Sequence, residues 1–135
     1  MAKVKKINHV AVVVEDIESS LSFWEGALGI KIHKVEDVPA QKARVAFLPV
    51  GEGELELVQP TDQESGTGKF LKERGGGMHH LCLEVDDIAE MLAQLKEKGI
   101  RLINEAPLEM EGRKIAFIHP KSASGVLVEL YELKP

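Results

Sequence analysis

Apolar and polar positions follow two rhythms along this chain, and the rhythms come in the same order twice. Residues 7–14 and 79–85 are rich in Val, Leu and Ile, the composition and length of strands. A helical spacing follows each run. Asp16 is placed to cap a helix whose apolar stripe is Ile17, Leu21, Trp24 and Leu28, with Gly29 at its end. Asp87 with Glu90 makes a capping-box-like start. Ile88, Leu92 and Leu95 form the second stripe, Lys96 and Lys98 lie in the last turn, and Gly99 closes it. Three strands are predicted after each helix: 31–36, 43–48 and 54–58 in the first half, and 101–104, 114–119 and 126–133 in the second. Turns are expected at 51–53 and 122–125. A short helix over 68–74 and the glycines Gly75, Gly76 and Gly77 join the halves.

The pattern therefore reads βαβββ twice: a single domain over 1–135 built from repeats at about 1–74 and 78–135, with a Gly75–Gly77 linker. The residues support the repeat directly. His9 and His80, Val14 and Val85, Asp16 and Asp87, and Ile17 and Ile88 are each 71 apart. Gly29 and Gly99 are 70 apart, and Glu56 of LEL and Glu129 of VEL are 73 apart. The fold class expected is α+β, two tandem βαβββ modules forming a mixed, open barrel-like sheet around a metal-centred cavity.

Composition narrows the function classes. With 44% hydrophobic and 29% charged residues the chain can bury a core. The 17 Lys plus Arg against 22 Asp plus Glu give a net charge of −5, which lacks the positive field of a nucleic-acid binder. The longest unbroken apolar run, 10–14, is too short for a signal peptide core or a membrane span. One cysteine, Cys82, cannot staple the fold. The expectation is a cytoplasmic protein with neither a nucleic-acid nor a membrane partner.

Strand alternation says which way the polar residues point. His9 shares a face with Ala11 and Val13; His80 with Cys82 and Glu84; Glu56 with Glu54 and Val58; Glu129 with Leu127 and Tyr131. The opposite faces are uniformly apolar and suit the helix-covered side. Taken alone, His9 or His80 reads more readily as a satisfied strand histidine, and Glu56 or Glu129 as an edge charge. Together, as repeat-related pairs, two imidazoles and two carboxylates read as ligands for a divalent metal such as Co²⁺, Ni²⁺, Zn²⁺ or Mn²⁺. Next to His80, His79 faces away and takes a structural role, His33 lies in a polar strand at the surface, and Cys82 is a packed thiol. His119, before a proline turn, is placed to line the mouth of the cavity.

With these residues in place, the chain resembles the vicinal oxygen chelate superfamily and, within it, the methylmalonyl-CoA epimerase family. The segments that carry the likeness are INHVAVVVEDIE, LELVQP, FLKERGGGMHHLCLEVDDI and FIHPKSASGVLVELYE. In the last of these, HPKSASG stands where glyoxalases of the superfamily have an aspartate-proline-glycine turn. The resemblance implies a racemase or epimerase interconverting (2R)- and (2S)-methylmalonyl-CoA through an enolate. It implies His9, Glu56, His80 and Glu129 as metal ligands, with Co²⁺ first among the ions, and a homodimer. Some members supply a further glutamate from the strand that here reads ARVAFL, which has no carboxylate. Glu129 and Glu56 are therefore the expected catalytic bases. An acyl-CoA partner carries phosphates, for which His119, Lys121 and Lys114 are the substrate-binding candidates. The alternatives are a glyoxalase I-like lactoylglutathione lyase, which would use the same ligands, and a metal-free small-molecule-binding module.

Overall fold

A computed structural model describes the whole chain, Met1–Pro135. The structure contains eight strands, named β1 (Val4–Val13), β2 (Lys34–Val38), β3 (Ala43–Val50), β4 (Gly53–Pro60), β5 (Gly77–Val85), β6 (Leu108–Met110), β7 (Arg113–Ile118) and β8 (Leu127–Leu133). The α-helices are α1 (Ile17–Leu21), α2 (Gly66–Arg74) and α3 (Ile88–Glu97). The strands follow the order β2-β3-β4-β1-β5-β8-β7-β6, a mixed sheet that does not close into a barrel. Two compact units divide the chain: His9–His79, and Met1–Asn8 together with His80–Pro135. The division falls inside β1, so the first five residues of that strand fold with the second half of the sequence.

Within His9–His79, the end of β1 runs parallel to β4, and β4, β3 and β2 are joined antiparallel. In the other unit, β5 runs parallel to β8, and β8, β7 and β6 are joined antiparallel. The registers repeat as the sequence does. Ala11 stands opposite Glu56 in one unit, and Cys82 stands opposite Glu129 in the other.

Both repeats start their helix by the same device. The Asp16 side chain accepts the Ser19 N–H, and the Asp87 side chain accepts the Glu90 N–H, each satisfying one of the orphan donors of a first turn. The first helical residues, Ile17 and Ile88, are fully buried. Their N–H groups donate to Gln59 Oε1 at 2.9 Å and Glu132 Oε1 at 2.8 Å, residues of β4 and β8 that are themselves 73 apart. The start of each helix is thus tied to the last strand of its own repeat.

The apolar faces lie where alternation places them. Leu57, Leu48 and Ala46 pack with Ile17, and Val12, Val14, Leu21 and Trp24 surround them. Val85, Val128 and Leu130 pack with Ile88, Met91 and Leu92 of α3. In the His9–His79 unit the opposite face is covered too: Ala11, Val13, Val45 and Val58 meet Phe70 and Leu71 of α2.

Three expectations are corrected. The first helix does not continue as a regular α-helix to Leu28, because Ser22–Ala27 form a π-helix. Its wider turn takes Leu28 off the buried stripe, leaving it 54% exposed. The segment 101–104 contributes only an isolated bridge, Leu102 to Ile118. The strand that pairs with β7 is instead β6, joined to it by a tight turn in which Gly112 has φ 76°.

One glycine is required by a close approach. A Cβ on Gly68 would sit 2.2 Å from the Asp62 carbonyl oxygen and 2.8 Å from two backbone atoms of Gln63. The same turn caps α2, since Ser65 Oγ accepts the Gly68 N–H at 3.1 Å. Gly68→Ala must push this turn away, combining overpacking with a weakened cap. The expected loss is about 3 kcal/mol in urea denaturation. Gly66→Ala, with nothing within 4 Å, should be neutral or slightly stabilising.

Candidate metal centre and active site

Parallel pairing of the first and last strands of a repeat brings a histidine to a glutamate in each unit. On β1, His9 is 2% exposed, and its Nδ1 lies 3.4 Å from Glu56 Oε2. On β5, His80 Nε2 lies 3.1 Å from Glu129 Oε1, the glutamate being buried. Neither histidine is directly opposite its glutamate. His9 is in register with Glu54 and His80 with Leu127, so each contact is a diagonal one between residues of the same face, within reach of long side chains.

Both pairs suit metal ligation. Two donor atoms bound to one ion at about 2.1 Å lie about 3.0 to 3.4 Å apart, depending on the angle between them. The two His–Glu separations fall in that range. The donors are imidazole nitrogen and carboxylate oxygen, a combination that takes Co²⁺, Ni²⁺, Zn²⁺ and Mn²⁺. Each of these residues is buried or nearly so, which limits competition from water.

The remaining sequence candidates have contacts of their own. Cys82 is fully buried, and its Sγ lies within 4.8 Å of a Glu129 carboxylate oxygen. His79 meets Phe70 edge-on, with ring centroids 5.0 Å apart. The backbone N–H of His33 donates to the Phe47 carbonyl at 2.8 Å. Glu84, on the His80 face of β5, is held by Asn8 Nδ2 at 3.3 Å and Lys5 Nζ at 3.6 Å. It is a carboxylate with a structural task. On β3, Val45 and Ala46 are buried and Arg44 faces Asp37 at 4.0 Å.

Among the substrate-binding candidates, His119 and Lys121 come together while Lys114 lies apart. The His119 Nδ1 accepts the Lys121 N–H at 3.0 Å. Lys114 is on β7 opposite Glu132, with 3.9 Å between Nζ and Oε2. Reading the sequence did not pick out Gln59 and Glu132. Their 73-residue spacing, the same as that of Glu56 and Glu129, was the signal that could have found them.

Residues 8–117 match the family model of the glyoxalase/bleomycin resistance protein/dioxygenase superfamily, and the chain belongs to that superfamily. It is similar to the mitochondrial methylmalonyl-CoA epimerase of Mus musculus, 42% identical over 95% of this chain and 73% of that one. Among solved structures, the methylmalonyl-CoA epimerase from Mycobacterium tuberculosis superposes with a TM-score of 0.86. It is 34% identical, covering 98% of this chain and 90% of that one. A methylmalonyl-CoA epimerase in complex with methylmalonyl-CoA and NH4+ also gives a TM-score of 0.86. It is 29% identical, covering 97% of this chain and 96% of that one. A probable lactoylglutathione lyase of Synechocystis is less similar, at 27% identity over 92% of each chain.

No helix is long and apolar enough to cross a membrane.

Proposed function

We propose that the chain is an isomerase that interconverts (2R)- and (2S)-methylmalonyl-CoA by removing and returning the C2 proton. The observation that carries this reading is the 42% identity over nearly the whole chain to an epimerase of that name. The His9–Glu56 and His80–Glu129 pairs support it.

We further propose that His9, Glu56, His80 and Glu129 ligate one divalent ion, with Co²⁺ the best match and Ni²⁺, Zn²⁺ or Mn²⁺ alternatives. When bound, such an ion supplies a Lewis acid for the thioester and carboxylate oxygens of the substrate, stabilising negative charge by several kcal/mol. The chain's own groups do the proton work. For one enantiomer, a Glu129 carboxylate oxygen takes the C2 proton: the C–H bond breaks, an O–H bond forms, and the electron pair moves into the enolate. Glu56, whose bond to the ion would be labile, starts as the acid and gives its proton to the opposite face of C2. Each turnover therefore exchanges the protonation states of the two glutamates, and the reverse direction uses them in the opposite order. Two carboxyl groups with opposite starting states also predict a bell-shaped pH profile. His119, Lys121 and Lys114 are assigned to the CoA portion.

A homodimer is proposed as the working form, with Val4, Ile7 and Leu133, each about half exposed, offering apolar area to a second copy. A reducing compartment, the cytoplasm, is proposed from the single buried cysteine.

The test is a loss-of-chirality assay: (2S)-methylmalonyl-CoA is incubated with Co²⁺-loaded protein and followed by circular dichroism. The signal should decay to the racemic value, while the hemithioacetal of glutathione and methylglyoxal is not turned over. Rapid conversion of the hemithioacetal with an unchanged CoA ester would make the chain a lyase instead.

A further inference from the structure

Two cationic side chains and an imidazole gather at one turn of the Met1–Asn8/His80–Pro135 unit, and no acidic group pairs with the two cations. The turn is built by main-chain bonds. The His119 N–H donates to the Arg101 carbonyl at 2.9 Å, and the Arg101 N–H donates to Ser122 Oγ at 2.9 Å. Residues Pro120–Ser122 form a 3₁₀ turn whose first N–H groups are capped by His119. Arg101, His119 and Lys121 are thereby fixed side by side, although 101 and 119 are far apart in sequence.

Several cations elsewhere on this acidic chain are matched with carboxylates. Lys96 meets Glu105 at 2.6 Å, Lys134 meets Glu109 at 2.9 Å, and Lys42 meets Asp62 at 3.5 Å. Arg101 and Lys121 have no such partner. His119 feels both: partial desolvation first, and then the charges of Arg101 and Lys121, hold its imidazole below the usual histidine value. With Nδ1 accepting the Lys121 N–H, the neutral ring carries its proton on Nε2. The turn therefore offers a guanidinium, an ammonium and an imidazole N–H, all donors. A locally unbalanced set of donors of this kind matches a phosphate group.

We propose that Arg101, His119 and Lys121 form a phosphate-binding cluster that holds the phosphorylated end of the CoA thioester. This rests on the acyl-CoA reading above, and it adds Arg101, which the linear sequence gave no reason to select. Binding there draws on the phosphates and not on the acyl group, so one cluster serves every acyl-CoA the site accepts.

The experiment is calorimetric titration of wild type and the double variant Arg101→Gln/Lys121→Gln with CoA, pantetheine and inorganic phosphate. Both residues are exposed, so the fold should tolerate the changes; Lys72→Gln, an exposed lysine of the other unit, is the control. Wild type should bind CoA far more tightly than pantetheine. The double variant should lose about tenfold to a hundredfold in CoA affinity while pantetheine affinity stays within twofold. Added salt should weaken CoA binding to wild type more than to the variant. Equal CoA affinity in both proteins, or parallel losses for CoA and pantetheine, would overturn the cluster. Affinity of wild type for inorganic phosphate equal to that for CoA would also overturn it, assigning the turn to free phosphate. Because the readout is binding, it separates from turnover. A protein that binds CoA through these residues but does not epimerise would sink the activity and keep the cluster.

Discussion

Glu129→Gln should lower kcat for methylmalonyl-CoA epimerisation by about 10³-fold, within the range of 10² to 10⁴ that a positioned general base contributes. Glutamine keeps the size of the side chain and an oxygen able to meet His80 Nε2, 3.1 Å away in the native protein. It cannot take a proton. The residue is 6% exposed and stands opposite Cys82 on β5, so no water or neighbouring carboxylate replaces it easily. Because the amide is also a weaker metal ligand, the assay belongs at saturating Co²⁺, with far-UV circular dichroism to confirm the fold. An activity within tenfold of wild type would show that the base is another group.

Glu56→Gln should abolish inversion to a comparable extent, yet leave a diagnostic partial reaction. With Glu129 intact, the C2 proton of one enantiomer can still leave and return on the same face. In D₂O the variant should therefore exchange the C2 proton of that enantiomer without changing its configuration. Metal affinity should fall by less than about tenfold, since the amide oxygen remains and His9 Nδ1, 3.4 Å from Glu56 Oε2 in the native chain, is untouched. Isothermal titration with Co²⁺ checks the affinity, and proton NMR of each enantiomer checks the exchange. Normal epimerisation by this variant would place the second base elsewhere. Exchange of both enantiomers without inversion would show that Glu129 does not act on one face alone.

Much of this site could be read from the sequence, because its ligand-type residues sit on strands and recur in a repeat. Alternation alone places His9, His80, Glu56 and Glu129 on one side and the apolar residues on the other, and the buried clusters confirm the apolar side. The 71- and 73-residue spacings then match His9 with His80 and Glu56 with Glu129, while the pairing of each histidine with its glutamate comes from the parallel registers. What escaped depended on registers that the linear pattern does not contain. Gln59 and Glu132 tie Ile17 and Ile88 to β4 and β8, but the residues differ in type and were not matched to each other. The π-helix at Ser22–Ala27 has no distinctive spacing, and it moved Leu28 out of the core. The strand β6 is three residues long with a glutamate at its centre, too short and too polar to signal itself. Arg101 became visible as a neighbour of His119 only once the backbone bond between them was seen.

Deuterium should enter C2 of methylmalonyl-CoA only when the chain holds its metal. The direct measurement is proton NMR of the substrate in D₂O with Co²⁺-loaded protein, before and after chelation with EDTA and again after Co²⁺ is restored. The C2 proton signal should vanish with loaded protein, persist after chelation, and vanish again on reloading. A C2 signal that persists with fully loaded, folded protein would contradict the assignment of this chain as a metal-dependent methylmalonyl-CoA epimerase.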